Sequence, residues 1–238
     1  MKNNIFKCFG ITKSEVKSIL SDIFANSEGV LITLYEKGPE LTIKIEGDEH
    51  NPHILDKTAE IFKRLNNYIY AEEDISIYEA AFRLLKLNNL TLATAESITA
   101  GNIAASFVKY NAGASKVLLE GNVVYTNNAK MRMLDVSEKV LNTHSDVSAQ
   151  TTFDMANGCL LKSGANIVIA TTGYAGGDNN SNNGLNYIAI GDSKKIDVYK
   201  NMFEGTRAEV IEITTIAAFF YLIKKLRKND FFLEKNVV

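Results

Sequence analysis

Apolar residues recur along the chain at two spacings, and each spacing predicts a kind of element. Val16, Ile19, Leu20 and Ile23 stand three and four apart, the interval that lines one face of a helix. Thr12 and Glu15 open that stretch as a capping box, in which hydroxyl and carboxylate each satisfy an N–H that the helix leaves unpaired. Gly29 closes it. Residues 30–35 and 41–45 read as two strands joined by the turn Lys37-Gly38-Pro39-Glu40. Pro52 suits the first turn of a further helix with Ile54, Leu55, Ala59, Phe62 and Leu65 apolar. Residues 5–9 alternate as a strand, and Tyr68-Ile69-Tyr70 ends the region before the acidic connector Ala71–Asp74. Residues 1–71 are therefore expected to form a small α+β domain.

From residue 76 the pattern changes. Ser76 and Glu79 form a second capping box, opening a helix with Ala80, Leu84 and Leu85 that ends near Asn88. Apolar runs at 92–95, within 117–125, at 166–173, at 185–190 and at 195–203 predict strands. Between them lie helices from about Ala100 to Lys109, after Thr126, and after Ser148, the last with Phe153, Ala156 and Leu160 inward. Thr206 and Glu209 form a third box that starts a long helix to about Arg227, and 228–238 reads as a frayed tail. Near-continuous apolar strands alternating with helices predict an α/β fold over 76–228, its sheet covered on both faces. In such folds function collects at the carboxyl ends of the strands. Three loops qualify: Glu96–Gly101, Tyr125–Lys130 and Thr172–Gly184.

Charge and composition remove several function classes. With 26 Lys and Arg against 28 Asp and Glu, the formal charge of −2 gives no electrostatic case for a nucleic-acid partner. The longest apolar run, Ile216–Ile223, is far short of the roughly 20 residues of a bilayer span. The first residues are too short and too broken to read as a signal peptide. Cys8 and Cys159 stand far apart without metal or disulfide spacing, which fits a reducing cytoplasm. His50 and His53, near Asp48 and Glu49, read as a solvated turn, so neither a metal nor another cofactor is expected.

Ser97 is the first residue that could carry chemistry. It stands where an apolar strand breaks into a helix, beside unpaired N–H groups that could cradle an oxyanion or a phosphate. It is equally a residue expected to cap any helix. Lys130 follows a buried strand on the first turn of a helix. The helix field and closure from water would lower its pKa and suit it as base to a serine; on spacing alone it also reads as a solvated lysine. Tyr125 could relay or orient the proton, or simply sit in the core. The run Thr171-Thr172-Gly173-Tyr174-Ala175-Gly176-Gly177 could bring backbone N–H groups to a phosphate, though it fits neither nucleotide-binding fingerprint. Arg207, at a helix amino end, is either an anion clamp or an exposed charge. His144 has no partner in sequence.

Taken together, these motifs resemble the C-terminal domain of the CinA family, the nicotinamide-nucleotide amidase (PncC-like) type, over about Leu90 to Leu226. The matching pieces are Leu92 to Ser97, Val124 to Lys130, His144 to Ser148, Thr172 to Gly176, and Gly205 to Val210. Residues 5–75 are similar to the small middle domain of full-length members, whose N-terminal molybdopterin-binding-like domain has no counterpart. The resemblance implies a three-layer α/β/α amidase domain. It implies hydrolysis of the carboxamide of nicotinamide mononucleotide to nicotinic acid mononucleotide and ammonia. Ser97 would be nucleophile, Lys130 base and Tyr125 the assisting hydroxyl. Backbone N–H groups around Thr99, Ala100 and Gly101 would form the oxyanion hole, and Thr172, Gly173 and Arg207 would hold the nucleotide. The expected partners are that small-molecule nucleotide and a second copy of the chain in a dimer, with no nucleic acid and no membrane. The family's Glu-Ser-Cys-Thr-Gly-Gly reads here with Ile98 for Cys and Ala100 for Gly. The glycine-rich loop is shortened and lacks the usual proline, and Tyr174 replaces a smaller aliphatic residue. The alternative expectation is a catalytically weakened nucleotide-binding or interaction protein of the same family.

Overall fold

A computed structural model describes residues 2–176 and 182–228. The far part of the expected phosphate loop, 177–181, and the expected tail, 229–238, lie outside them. The chain divides into two compact units, Met1–Ala80 and Ala81–Val238.

The first unit runs β1 (Lys2–Phe9), α1 (Lys13–Ile19), α2 (Ser21–Ala25), β2 (Leu31–Lys37), β3 (Glu40–Gly47), α3 (His53–Leu65) and β4 (Ile69–Ala71). Its four strands form an antiparallel sheet in the order β2-β3-β1-β4. Thr12 and Glu15 make the capping box that opens α1. The single helix expected after it is two: the backbone leaves the helical region at Leu20, while the Leu20 side chain stays fully buried beside Val16 and Ile23. The apolar face thus continues across the break. Val16, Leu20, Ile43, Ile45, Ile61 and Leu65 belong to one core beneath the sheet.

The division between the units falls inside α4 (Ile77–Leu87). The second unit continues with β5 (Leu92–Glu96), α5 (Asn102–Tyr110), β6 (Leu118–Val123), α6 (Asn127–Leu134), α7 (Glu138–His144) and α8 (Ala149–Ser163). Then follow β7 (Ile167–Gly173), β8 (Leu185–Gly191), β9 (Ile196–Met202) and α9 (Arg207–Lys228). The sheet order is β6-β5-β7-β8-β9, with β6, β5 and β7 parallel and β8 and β9 antiparallel. The sheet is therefore mixed, and the fold is α/β.

Successive side chains of a strand point to opposite faces. Ala93, Ala95, Val168, Ala170 and Ala189 share a core with Leu134, Met155, Ala156 and Cys159, so α6 and α8 cover that face. The opposite face meets α5 and α9, of which α5 lies against β5 and β6, and α9 against β7 and β8. No helix among the described residues is long and apolar enough to cross a membrane.

The topology selects one crevice. From β5 the chain crosses through α5 to β6, on one side. From β7 it turns to β8, on the other. Adjacent strands whose continuations part in this way leave a gap outside their carboxyl ends, the usual binding place in open α/β sheets. Ser97 follows β5, and Thr172 and Gly173 end β7.

Candidate active site

The β5–β7 ladder brings Glu96 level with Thr171, and the Ser97 N–H donates to Thr171 O at 2.9 Å. This bond carries the ladder one residue past the strand and fixes the Ser97 backbone. The chain then turns sharply. Ala100 N–H donates to Ser97 O at 3.2 Å, and Asn102 N–H to Thr99 O at 2.9 Å. Ala100 and Gly101 both adopt left-handed backbone, with φ of 49° and 96°.

Glu96 holds this turn in place. Its side chain is fully buried. Oε2 accepts the N–H groups of Gly101 (3.0 Å) and Ile103 (2.9 Å); Oε1 accepts the N–H of Ala104 (2.9 Å) and the Thr94 hydroxyl (3.1 Å). The helix α5 starts after Gly101, which has no side chain to cap it, so the end of the preceding strand supplies the cap. Ser97 is consequently not the cap that its position in the sequence allowed. Its side chain makes no hydrogen bond among the described residues; the residue is 7% exposed and lines a cavity of about 210 Å³.

The N–H groups beside Ser97 differ from those expected. Ala100 and Gly101 already donate, to Ser97 O and to Glu96. The N–H groups of Ile98 and Thr99 have no partner among the described residues. Of the three residues expected to supply such N–H groups, only Thr99 keeps its own unpaired, and Ile98 is the second residue here with an unpaired one. The Thr99 hydroxyl pairs with that of Thr171 at 2.8 Å.

The left-handed Ala100 has a measurable consequence. An L side chain in that region costs about 1–2 kcal/mol, which glycine avoids, while glycine gives back part of the gain through a freer unfolded chain. Ala100→Gly is expected to raise stability by about 0.5 kcal/mol in a urea titration. A loss of stability would mean that the methyl group makes contacts outweighing the backbone strain.

Lys130 stands in the second turn of α6, whose cap is Thr126. It is 1% exposed, so it is not a solvated helix lysine. Burial holds its ammonium below the ordinary value of 10.5, and the Asp146 carboxylate pulls the other way. Its Nζ donates to Asn127 Oδ1 at 3.4 Å, and among the described residues it makes no hydrogen bond with Ser97. Nor does Lys130 reach the cavity wall.

Five expected residues do meet on that wall: Ser97, Tyr125, Thr172, Gly173 and Arg207. Tyr125 lies beyond the end of β6 and is 57% exposed, which excludes a core role. Its hydroxyl accepts from Arg207 Nη2 at 3.0 Å, so in this state it faces the guanidinium. Arg207 Nη1 donates to Gly176 O at 2.9 Å, tying the start of α9 to the loop after β7. Thr172 Oγ1 donates to Asp146 O at 2.8 Å. Gly173 has no room for a side chain: a Cβ there would lie 2.7 Å from Ile98 Cδ1 and 2.7 Å from Leu185 O. Thr99, Ala100 and Gly101 are not among the residues lining that wall; Thr99 is buried and Ala100 is exposed. His144 is exposed at the end of α7.

Asp146 is the charged residue on the wall that the sequence pattern did not single out as a site residue. Its proximity to β7 rests on the bond from Thr172, 26 positions away. Among the described residues no three His, Cys, Asp or Glu side chains are grouped to hold a metal ion.

Comparison with known proteins gives a consistent picture. The CinA C-terminal domain family matches residues 74–226. A protein of Clostridioides difficile (strain 630), provisionally named competence-damage inducible, is 37% identical over 219 residues, 86% of this chain and 52% of the relative. A CinA-like protein of Geotalea uraniireducens is 30% identical over 95% of this chain and 56% of its own. The chain spans about half the length of these relatives. Among solved structures, a competence-damaged protein (CinA) superfamily protein from Klebsiella pneumoniae superposes with a TM-score of 0.60 at 30% identity, covering 64% of this chain and 99% of the other. A competence/damage inducible protein from Agrobacterium tumefaciens gives 0.59 at 35% identity, over 64% and 96%.

Proposed function

The chain belongs to the CinA family, and from that premise we propose that it is an amidohydrolase acting on nicotinamide mononucleotide. Ser97 Oγ attacks the carboxamide carbon, and the neutral amine of Lys130 takes the hydroxyl proton. The oxyanion meets the N–H groups of Ile98 and Thr99. Lys130 returns the proton as ammonia leaves, and water then hydrolyses the acyl-serine to nicotinic acid mononucleotide. Arg207 faces the phosphate. The observation that carries this reading is the Ser97 hydroxyl, released from capping by Glu96 and opening on a cavity at the switch point of the sheet.

The reading requires Lys130 Nζ to leave Asn127 Oδ1 and turn to Ser97 when substrate enters. A long bond of 3.4 Å and a flexible four-carbon stem allow that movement, and catalytic hydrogen bonds commonly tighten only in the complex. The same bond favours a second reading, a nucleotide-binding protein that does not turn over. Incubation with nicotinamide mononucleotide separates the two. Ammonia and nicotinic acid mononucleotide should form in equal amounts, with or without a chelator. Calorimetric binding without ammonia release would favour the second reading.

A further inference from the structure

The cavity wall is electrically two-ended. Of the described residues that line it, Asp146 and Arg207 are the charged ones, and they come from different elements: the loop between α7 and α8, and the start of α9. Arg207 spends two donors on Tyr125 and Gly176 and keeps three of its five N–H groups. Asp146 Oδ1 accepts from the Ser145 hydroxyl at 3.1 Å, and Oδ2 has no partner among the described residues. Asp146 makes no ion pair within 4 Å among those residues, and the Lys130 ammonium, buried behind the wall, is the cation whose charge it meets.

The loop presenting this carboxylate is held at several points. Ser145 adopts a left-handed φ of 72°, rare for a residue with a side chain. Its carbonyl is fixed by the hydroxyls of Thr151 (2.6 Å) and Ser148 (3.2 Å). The Asp146 carbonyl is fixed by Thr172 at the end of β7. A strained Ser145 over-determined by its neighbours, followed at once by a carboxylate on the wall of a cavity that also holds Ser97, points to a role for Asp146 in recognition.

We propose that Asp146 is a specificity-determining residue: it selects a substrate whose amide-bearing ring is positively charged, while Arg207 takes the anionic end of the same molecule. This rests on the amidase reading and adds a reason for choosing the cationic nicotinamide ring over neutral aromatic amides. A carboxylate within a few ångströms of a ring cation favours the cation through charge alone; a neutral ring of the same shape gains nothing from it.

The test uses the full chain bearing Ser97→Ala, so that ligands bind without turnover. Two ribotides are titrated calorimetrically: nicotinamide mononucleotide, and its neutral isostere with benzamide in place of the pyridinium. Asp146→Asn is expected to weaken the cationic nucleotide about tenfold while leaving the isostere within about twofold. Equal weakening of both, or weakening of neither, overturns the assignment. If neither nucleotide binds the protein that retains Asp146, the amidase reading fails and the assignment fails with it. Retained binding of the isostere shows that the Asp146→Asn variant is folded.

Discussion

Ser97→Ala is expected to abolish ammonia release from nicotinamide mononucleotide, by a factor on the order of 10⁴ or more, while the nucleotide still binds. The size of the effect follows from removing the atom that forms the covalent bond; water in its place would lack both the orientation and the activated oxygen. Stability should change by less than about 0.5 kcal/mol, because the hydroxyl makes no hydrogen bond among the described residues and α5 keeps its cap at Glu96. This pairing distinguishes a nucleophile from a cap. A true cap removed would cost about 1 kcal/mol and leave the chemistry alone. Activity and urea unfolding are measured on the same preparation. Turnover surviving within tenfold of the parent would sink the nucleophile assignment.

The sequence makes the α/β alternation legible because the central strands β5 and β7 read as apolar runs and most helices of the second unit open on a Ser or Thr cap, α5 being the exception. Thr206 and Glu209 pair at 2.8 Å at the head of α9, as their spacing required. What the pattern does not carry is direction. Buried apolar runs look alike in parallel and antiparallel pairs, so the antiparallel β8 and β9 could not be told from the parallel strands. The short α7, with one buried residue, is too polar to give a helical period. In the site, Ser97 and Lys130 are visible because a hydroxyl and an amine stand at strand-to-helix breaks. Glu96 is not, since in one dimension a carboxylate ending a buried strand gives no sign that the next helix will start against it. Asp146 is hidden for a related reason: its neighbours Thr172 and Lys130 meet it only through the folded loops.

Lys130→Met is expected to do two opposite things, removing turnover by at least about 10³ and raising stability at neutral pH by about 1–2 kcal/mol. Burial lowers the Lys130 pKa in the folded protein below the ordinary 10.5 that it keeps when unfolded. Between those two values the unfolded chain binds more protons, so parent stability rises with pH across that window. Below the window the native state carries the whole cost of a buried ammonium, partly offset by Asp146. Methionine fills a similar volume without charge, so the variant should lack both the cost and the alkaline rise. The parent's kcat/KM should climb as pH rises toward the lowered Lys130 value and flatten above it, since only the neutral amine accepts the Ser97 proton. A variant that is inactive and less stable than the parent would instead make the ammonium a structural tie to Asn127. A variant active within tenfold would remove Lys130 from the chemistry. Loss of activity with a gain in stability would identify a buried charge kept for catalysis against the interest of the fold.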